Sequence, residues 1–180
     1  DLVASLSRIN SRFGIASTLK NVELEGYTDK SELAYTQLFR VELAFGATEM
    51  FAFLLAKHCQ VDLLRVKRNA NDKDAVAYLK LGQLYAQSGW LATASMNAIR
   101  KVDSKQALQT HLLNEVDLNQ NLQTEVGAFF SGNDDRFVCL AAAIRHVFTH
   151  GNLTADAGGF GPAKACRVYR PVCDALLSSL

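Results

Sequence analysis

The sequence predicts an all-α fold, an up-and-down helical bundle of about five to seven helices, in a single domain over residues 1–180. Only 2 prolines and 11 glycines occur among the 180 residues, so long stretches lack chain breakers. Hydrophobic residues make up 49% of the chain, and many of them recur at spacings of three and four, which is typical of helices packed around a core. The 19 basic and 18 acidic residues nearly cancel, so the overall charge does not favour non-specific binding to nucleic acid.

The first predicted helix is short. Apolar side chains follow helical spacing over residues 2–13, and Gly14 is the expected end because glycine favours helix termini. Residues 15–28 lack this periodicity and predict a connection to the next helix.

A long second helix is predicted to begin after Thr28 and to end near His58. Thr28 and Asp29 are both suitable N-cap residues, and Glu32 follows in the arrangement of a capping box. Along this helix, apolar side chains and one threonine alternate spacings of three and four, which predicts a seam against neighbouring helices. The seam residues are Leu38, Val41, Phe45, Thr48, Ala52 and Leu55.

The middle of the chain predicts further helices after a polar loop. Residues 65–74 are the most basic segment, and the acidic residues among them favour a solvated loop over a phosphate-binding one. Helical patterning runs over 75–87, breaks at 88–89 and resumes over 90–102. Asp103 and Ser104 can cap one more helix, which is expected to run to about Val126.

Two helices are predicted in the final third, separated by a loop over 152–161. The first begins near Asp134 and ends at His150, because the glycine that follows is a favoured residue after a helix. The second begins at Pro162, whose ring suits a first turn, and Pro171 is expected to kink it or split it in two.

Cysteine usage and hydropathy predict a cytoplasmic protein. The four cysteines show no C-x-x-C spacing and are too few for a disulfide scaffold, so we interpret them as reduced thiols: Cys59, Cys139, Cys166 and Cys173. No signal peptide is recognisable at the start of the sequence. The most apolar window, 81–99, contains glycines and amides that would be costly in lipid, so we expect no membrane contact.

A cluster of Arg and His residues lies at the end of the helix that closes at His150. On a helical wheel at about 100° per residue, Arg145, His146, Thr149 and His150 occupy an arc from about 0° to 140°. The core stripe lies opposite, between about 200° and 320°. Upstream, the polar arc carries small uncharged residues, which predicts that something covers it, most simply a second copy of the chain. These residues are Val138, Cys139 and Ala142.

Arginine and histidine together suit phosphodiester chemistry. A guanidinium can bind phosphate with two hydrogen bonds, and an imidazole can transfer a proton near neutral pH. This chemistry needs no metal and no cofactor. Because Arg145 and His150 lie about 140° apart around the helix axis, a two-fold dimer would be needed to bring both kinds of side chain around one cleft.

The string from Arg145 to His150 resembles the signature of HEPN domains (higher eukaryotes and prokaryotes nucleotide-binding): Arg, a polar residue, three variable residues, then His. The specific part of the resemblance covers residues 136–152. It implies a single HEPN-like domain and a metal-independent RNA endonuclease whose composite site lies at a dimer interface. Carried over, it assigns Arg145 to phosphate contact, His150 to proton transfer and His146 to the polar second position.

One departure from the family limits what the resemblance implies. Some HEPN toxins carry a Tyr two residues after the His, where a partner nucleotidyltransferase adenylylates it. Asn152 stands at that position here, so this form of control is not expected.

Structural interpretations of the same cluster stay open at this point. Cations near helix C-termini are ordinary, so His150 could cap carbonyl groups and Arg145 could pair with a carboxylate, for which Glu42 and Glu49 are the best candidates. His146 and His150 share the spacing of a zinc pair, but no third ligand is obvious. We therefore expect no metal site.

Two functions are expected from the resemblance together with these residues. The first is a HEPN-like ribonuclease acting as a homodimer on RNA, as a toxin or defence effector with an antitoxin-type protein partner. The alternative is a non-catalytic HEPN-like module that binds a nucleotide or a protein partner through the same cleft. The balanced charge favours the second function, and the intact Arg and His favour the first.

Overall fold

The computed structural model describes residues 2–58, 73–87, 89, 93–103, 105–151, 154 and 161–180, and within them the fold is all-α. A π turn at His111–Glu115 and a 3₁₀ turn at Asp134–Arg136 supplement the α-helices. The α-helices of the described residues are α1 (Leu2–Thr18), α2 (Asp29–His58), α3 (Lys73–Gln87), α4 (Thr93–Val102), α5 (Ala107–Thr110), α6 (Gln120–Phe130), α7 (Phe137–Thr149) and α8 (Pro162–Ser178). The predicted all-α bundle is confirmed, with one helix more than the expected upper bound. The predicted loop over 65–74 lies mostly outside the described residues.

Helix α2 is the centre of the bundle. It packs against α1, α7 and α8, and its contact with α8 is the most extensive in the described part of the fold. The predicted seam is confirmed: its first four residues are buried, and Ala52 and Leu55 are half-buried against the same core. One continuous hydrophobic cluster joins these residues to side chains from α7 and α8.

The prediction that α1 ends at Gly14 is wrong, because the helix continues to Thr18. The hydroxyl groups of Ser17 and Thr18 donate to carbonyl oxygens four residues earlier, at 2.8 and 2.7 Å. Ala16 is fully buried, which adds a tertiary contact beyond the glycine. Packing and carbonyl pairing therefore outweigh the cost of about 1 kcal/mol for glycine inside a helix.

Arg40 ties three helices together. Its Nε donates to the Ala16 carbonyl oxygen at the end of α1 at 2.7 Å, and its Nη1 donates to Gln37 on α2 at 2.7 Å. Its Nη2 lies 3.3 Å from Asp174 on α8. One side chain therefore satisfies an open carbonyl at a helix C-terminus and holds α1 and α8 against α2.

The start of α2 confirms part of its predicted cap. Thr28 Oγ1 accepts from the Ser31 N–H at 3.3 Å, as expected for an N-cap threonine. Glu32 does not complete a capping box on Asp29. Its carboxylate accepts from the Leu24 N–H at 2.8 Å, so it secures the connection before the helix instead.

The single helix predicted after Asp103 is divided. The Asp103 carboxylate accepts from the N–H groups of Leu108 and Gln109, each at 3.0 Å, so its predicted capping role is confirmed. The chain then leaves the α-helical path through the π turn and an extended residue, and Asn119 caps α6. This division accounts for the additional helix.

Helix α8 begins at Pro162 as predicted and runs without a break to Ser178, although Pro171 lies inside it. Of the two outcomes expected for Pro171, a kink or a split, the continuous helix excludes the split. Eight residues of α8 are buried, largely against α2 and α4. Burial of this extent outweighs the cost of about 3 kcal/mol for proline within a helix.

Helix α3 approaches the turn before α7 through Gly82. A Cβ atom built on Gly82 would overlap the carbonyl oxygen of Asp135, and it would lie 3.6 Å from Cγ2 of Val138. Only glycine allows the backbone of α3 to sit this close to the start of α7. In the described part of the chain, no helix is both long and apolar enough to cross a membrane.

Gly82→Ala is therefore expected to destabilise the protein by at least about 2 kcal/mol, because backbone atoms cannot yield as a flexible side chain would. Gly14→Ala is the matched control, since nothing lies within 4 Å of a Cβ at that position. It should stabilise the protein by about 0.5–1 kcal/mol through its helix propensity. Urea unfolding followed by circular dichroism measures both changes, and equal effects of the two substitutions would contradict the close approach of α3.

Candidate functional site

Helix α7 is buried along most of its length. Residues 137–144 and Val147 are buried, and this stretch carries no charged side chain until Arg145. Helices α2, α3 and α6 pack around it. The polar residues that the sequence singled out therefore come together only at its C-terminal end.

The structure corrects the expectation that a second copy covers the uncharged part of the polar arc. Val138, Cys139 and Ala142 are buried within the single chain, because α3 and α6 pack on this side of α7. The uncharged face is thus part of the core. A dimer would have to form around the end of the helix.

Arg145 is held by a carboxylate on α2. Its Nε lies 3.3 Å from both carboxylate oxygens of Glu42, and Thr149 Oγ1 donates to Glu42 Oε2 at 3.0 Å. The guanidinium carbon lies 5.9 Å from the ring centroid of Phe45. The expectation that Glu42 is an acidic partner of Arg145 is confirmed. About a third of each charged side chain is exposed, 33% for Arg145 and 30% for Glu42.

The two imidazoles lie side by side at the surface. The ring centroids of His146 and His150 are 4.4 Å apart, with an interplanar angle of 56°, and both residues are exposed. The His150 N–H donates to the His146 carbonyl oxygen at 3.0 Å and closes the helix. Gly151 follows with a φ of 75°, as predicted for the residue after the helix.

Two charges shape the electrostatics at the C-terminal end of α7: the partial charge of the helix terminus and the Arg145 cation paired with Glu42. The C-terminus of α7, where His146 and His150 lie, carries partial negative charge from its open carbonyl groups. Glu42 places a carboxylate beside Arg145 and balances its charge. The cluster can therefore present imidazole donors together with the exposed part of a guanidinium held in a fixed orientation.

An aromatic pair borders the site, and the sequence analysis did not identify it. Phe39 on α2 and Phe148 on α7 pack edge to face, with centroids 5.3 Å apart and an interplanar angle of 85°. Phe39 is 39% exposed and lies one turn before Glu42. On the helical wheel Phe148 falls at about 300°, within the core stripe, and no local signal shows that its ring meets an exposed phenylalanine from another helix. This pair could stack against a planar ligand.

Two buried thiols, Cys139 on α7 and Cys173 on α8, are unreactive near neutral pH. Burial raises the pKa of the Cys139 thiol to about 12, and the nearby Glu125 carboxylate adds to this effect. Burial likewise raises the pKa of Cys173 to about 12. Neither thiol can serve as a nucleophile near neutral pH. Among the described residues, no group of three His, Cys, Asp or Glu side chains could hold a metal ion.

Comparison with known proteins gave no match to a protein-family model, to a curated protein or to a solved structure. The resemblance to HEPN domains thus rests on residues 136–152, with the motif itself at 145–150, at the end of α7.

Cys139 is expected to resist alkylation by iodoacetamide at about pH 8, because it is buried and its raised pKa keeps it protonated. Since α3 and α6 of the same chain bury it, protection should persist on dilution well below micromolar protein concentration. Peptide mapping by mass spectrometry after native and urea-denatured labelling measures this. Labelling that appears on dilution would show that a second copy, rather than the chain itself, covers this face.

Proposed function

We propose that the chain is a metal-independent RNA endonuclease that acts as a homodimer, with Arg145, His146 and His150 of both copies around one cleft. The observation that carries this proposal is the exposed group of two imidazoles and one oriented guanidinium at the end of an otherwise buried helix. This combination supplies proton transfer and phosphate contact in one place. Its resemblance to HEPN ribonucleases adds a cytoplasmic role as a toxin or defence effector, with an antitoxin-type protein partner.

The chemistry follows from the groups present. RNA carries its own nucleophile, the 2′-hydroxyl beside the scissile phosphate. A neutral imidazole takes the hydroxyl proton while the 2′-oxygen attacks phosphorus. An imidazolium returns a proton to the departing 5′-oxygen, which leaves a 2′,3′-cyclic phosphate and a free 5′-hydroxyl. Arg145 contacts the negative charge that develops on the phosphoryl oxygens, and His150 transfers protons beside His146.

A dimer would bring the phosphate-binding and proton-transferring side chains to one cleft. Arg145 points toward α2, where Glu42 holds it, and His146 and His150 lie beside each other on the next part of the helix surface. Two chains related by a two-fold axis would place the guanidinium of each copy opposite the imidazoles of the other. The exposed Phe39 next to this end supplies apolar surface for such a contact or for a base.

The second candidate is a non-catalytic HEPN-like module that binds a nucleotide or a protein partner. The Glu42 carboxylate favours it, because it offsets the charge of Arg145, the arginine of this cluster. The balanced charge of the chain, 19 basic against 18 acidic residues, acts in the same direction. Binding without cleavage would then be the function of the same surface.

Cleavage of a mixed fluorescent RNA in excess EDTA tests the catalytic proposal. Wild type should cut it, whereas Arg145→Ala and His150→Ala should each lose about 100-fold or more of the rate. Arg145→Lys should also be impaired, because lysine lacks the planar fork of the guanidinium. His58→Ala is the matched control, since His58 is exposed at the far end of α2 and lies outside the cluster.

The products and the oligomeric state sharpen this test. The expected products carry 2′,3′-cyclic phosphate ends, and DNA should stay intact because it lacks the 2′-hydroxyl. Sedimentation should show a dimer at micromolar concentration. Intact RNA with wild type, equal cutting by all variants, or a monomer at that concentration would contradict the catalytic proposal and favour the binding module.

Glu42→Gln tests the positioning role of the carboxylate. Glutamine keeps the shape and an oxygen that can accept from Thr149, but it removes the charge that holds Arg145. We expect kcat for RNA cleavage to fall about tenfold with no rise in KM, because orientation rather than binding is lost. A raised KM with unchanged kcat would show that Glu42 contributes to substrate binding instead.

A further inference from the structure

A second concave surface lies between α2, α4 and α8, away from the Arg145 cluster. Its volume is about 780 Å³, within the range of small-molecule pockets. The residues that line it come from three separate parts of the chain, so no local sequence motif predicts this cavity. They are Lys30 and Leu33, Ala94, Ser95, Ala98 and Val102, and Ala163, Cys166, Arg167, Arg170, Pro171 and Asp174.

The floor of this cavity is apolar and its edge is cationic. Leu33, Val102 and Pro171 are half-buried, and alanines separate them. Arg167 and Arg170 lie one turn apart on α8 and are exposed. An apolar floor with charge along one edge fits a ligand that has an apolar body and a charged end.

The positive charge at this edge is not neutralised within the described part of the chain. Arg167 Nε donates only to the Ala163 carbonyl of its own helix, at 3.3 Å, and Arg170 Nη2 lies 4.0 Å from Cys166 Sγ. No described carboxylate forms an ion pair with either guanidinium. The single acidic residue of the lining, Asp174, is paired with Arg40.

We propose that this cavity binds a small organic anion with an apolar body, held by Arg167 and Arg170 at its charged end and by Leu33, Val102 and Pro171 along its body. This site is independent of RNA cleavage. Loss of one activity would leave the other in place, so the two proposals fail separately.

Titration with octanoate, followed by ¹H–¹⁵N NMR, tests the proposal. Octanoate should bind with a Kd on the order of 0.1–1 mM and shift the amides that line the cavity on α4 and α8. 1-Octanol has the same body without the charge and should bind at least tenfold more weakly. Acetate has the charge without the body and should not bind at the same concentration.

Two variants and a matched control locate the site. Arg167→Gln with Arg170→Gln should weaken octanoate binding at least fivefold, and Ala98→Trp should abolish it by filling the space above the floor. Lys101→Gln, also on α4 but outside the lining, removes a charge and should bind octanoate as wild type does. Because Ala98 is exposed, its substitution is compatible with folding, which circular dichroism verifies.

Several results would overturn the proposal. Equal affinity for 1-octanol would show a merely apolar groove. Equal loss in Lys101→Gln and in the double arginine variant would show attraction by overall charge. Absence of octanoate shifts at about 10 mM, or shifts confined to residues outside the cavity, would remove the site altogether.

Discussion

The burial of α7 among α2, α3 and α6 is the constraint on which the rest of the structure depends. From Phe137 to Ile144 every side chain of α7 is enclosed, so a charge anywhere in this stretch would carry a large desolvation cost. The first charged residue, Arg145, comes where the helix reaches the surface. Packing therefore confines the reactive side chains of this helix to its last two turns, where neighbouring helices no longer cover them.

The Arg145–Glu42 pair joins residues 103 positions apart, yet it is not a major source of stability. Both side chains are about one-third exposed, and such a pair contributes at most about 1 kcal/mol in water. Its main effect is to fix the direction of the guanidinium, with Thr149 bound to the same carboxylate. The carboxylate of Glu42 therefore weakens the attraction of Arg145 for anions, and it fixes the orientation of the guanidinium.

Local chemistry could be predicted from the sequence, whereas most long-range contacts, apart from the Arg145–Glu42 pair, could not. The capping role of Asp103 follows from residue type and spacing, and Glu42 is a candidate because it shares one face of a mostly apolar helix with Glu49, seven residues later. Gly14 does not end α1 and Pro171 does not split α8, since each has a local penalty that burial against other helices outweighs. Phe39 was missed because its importance comes from a ring on another helix. The cavity escaped notice for the same reason, as its walls come from three distant segments.

The contacts of Arg40 constrain the sequence at position 40 more strongly than at the positions of its partners. Its Nε bonds to a backbone carbonyl, which every amino acid at position 16 would supply. Ala16 is therefore constrained by its size alone, whereas Arg40 has no substitute with the same reach and number of donors. Asp174 is exposed and makes the longest of the three bonds, so the residue type at position 174 is only weakly constrained. Among homologous sequences, position 40 should accordingly stay arginine while position 174 varies, and covariation between them should be faint.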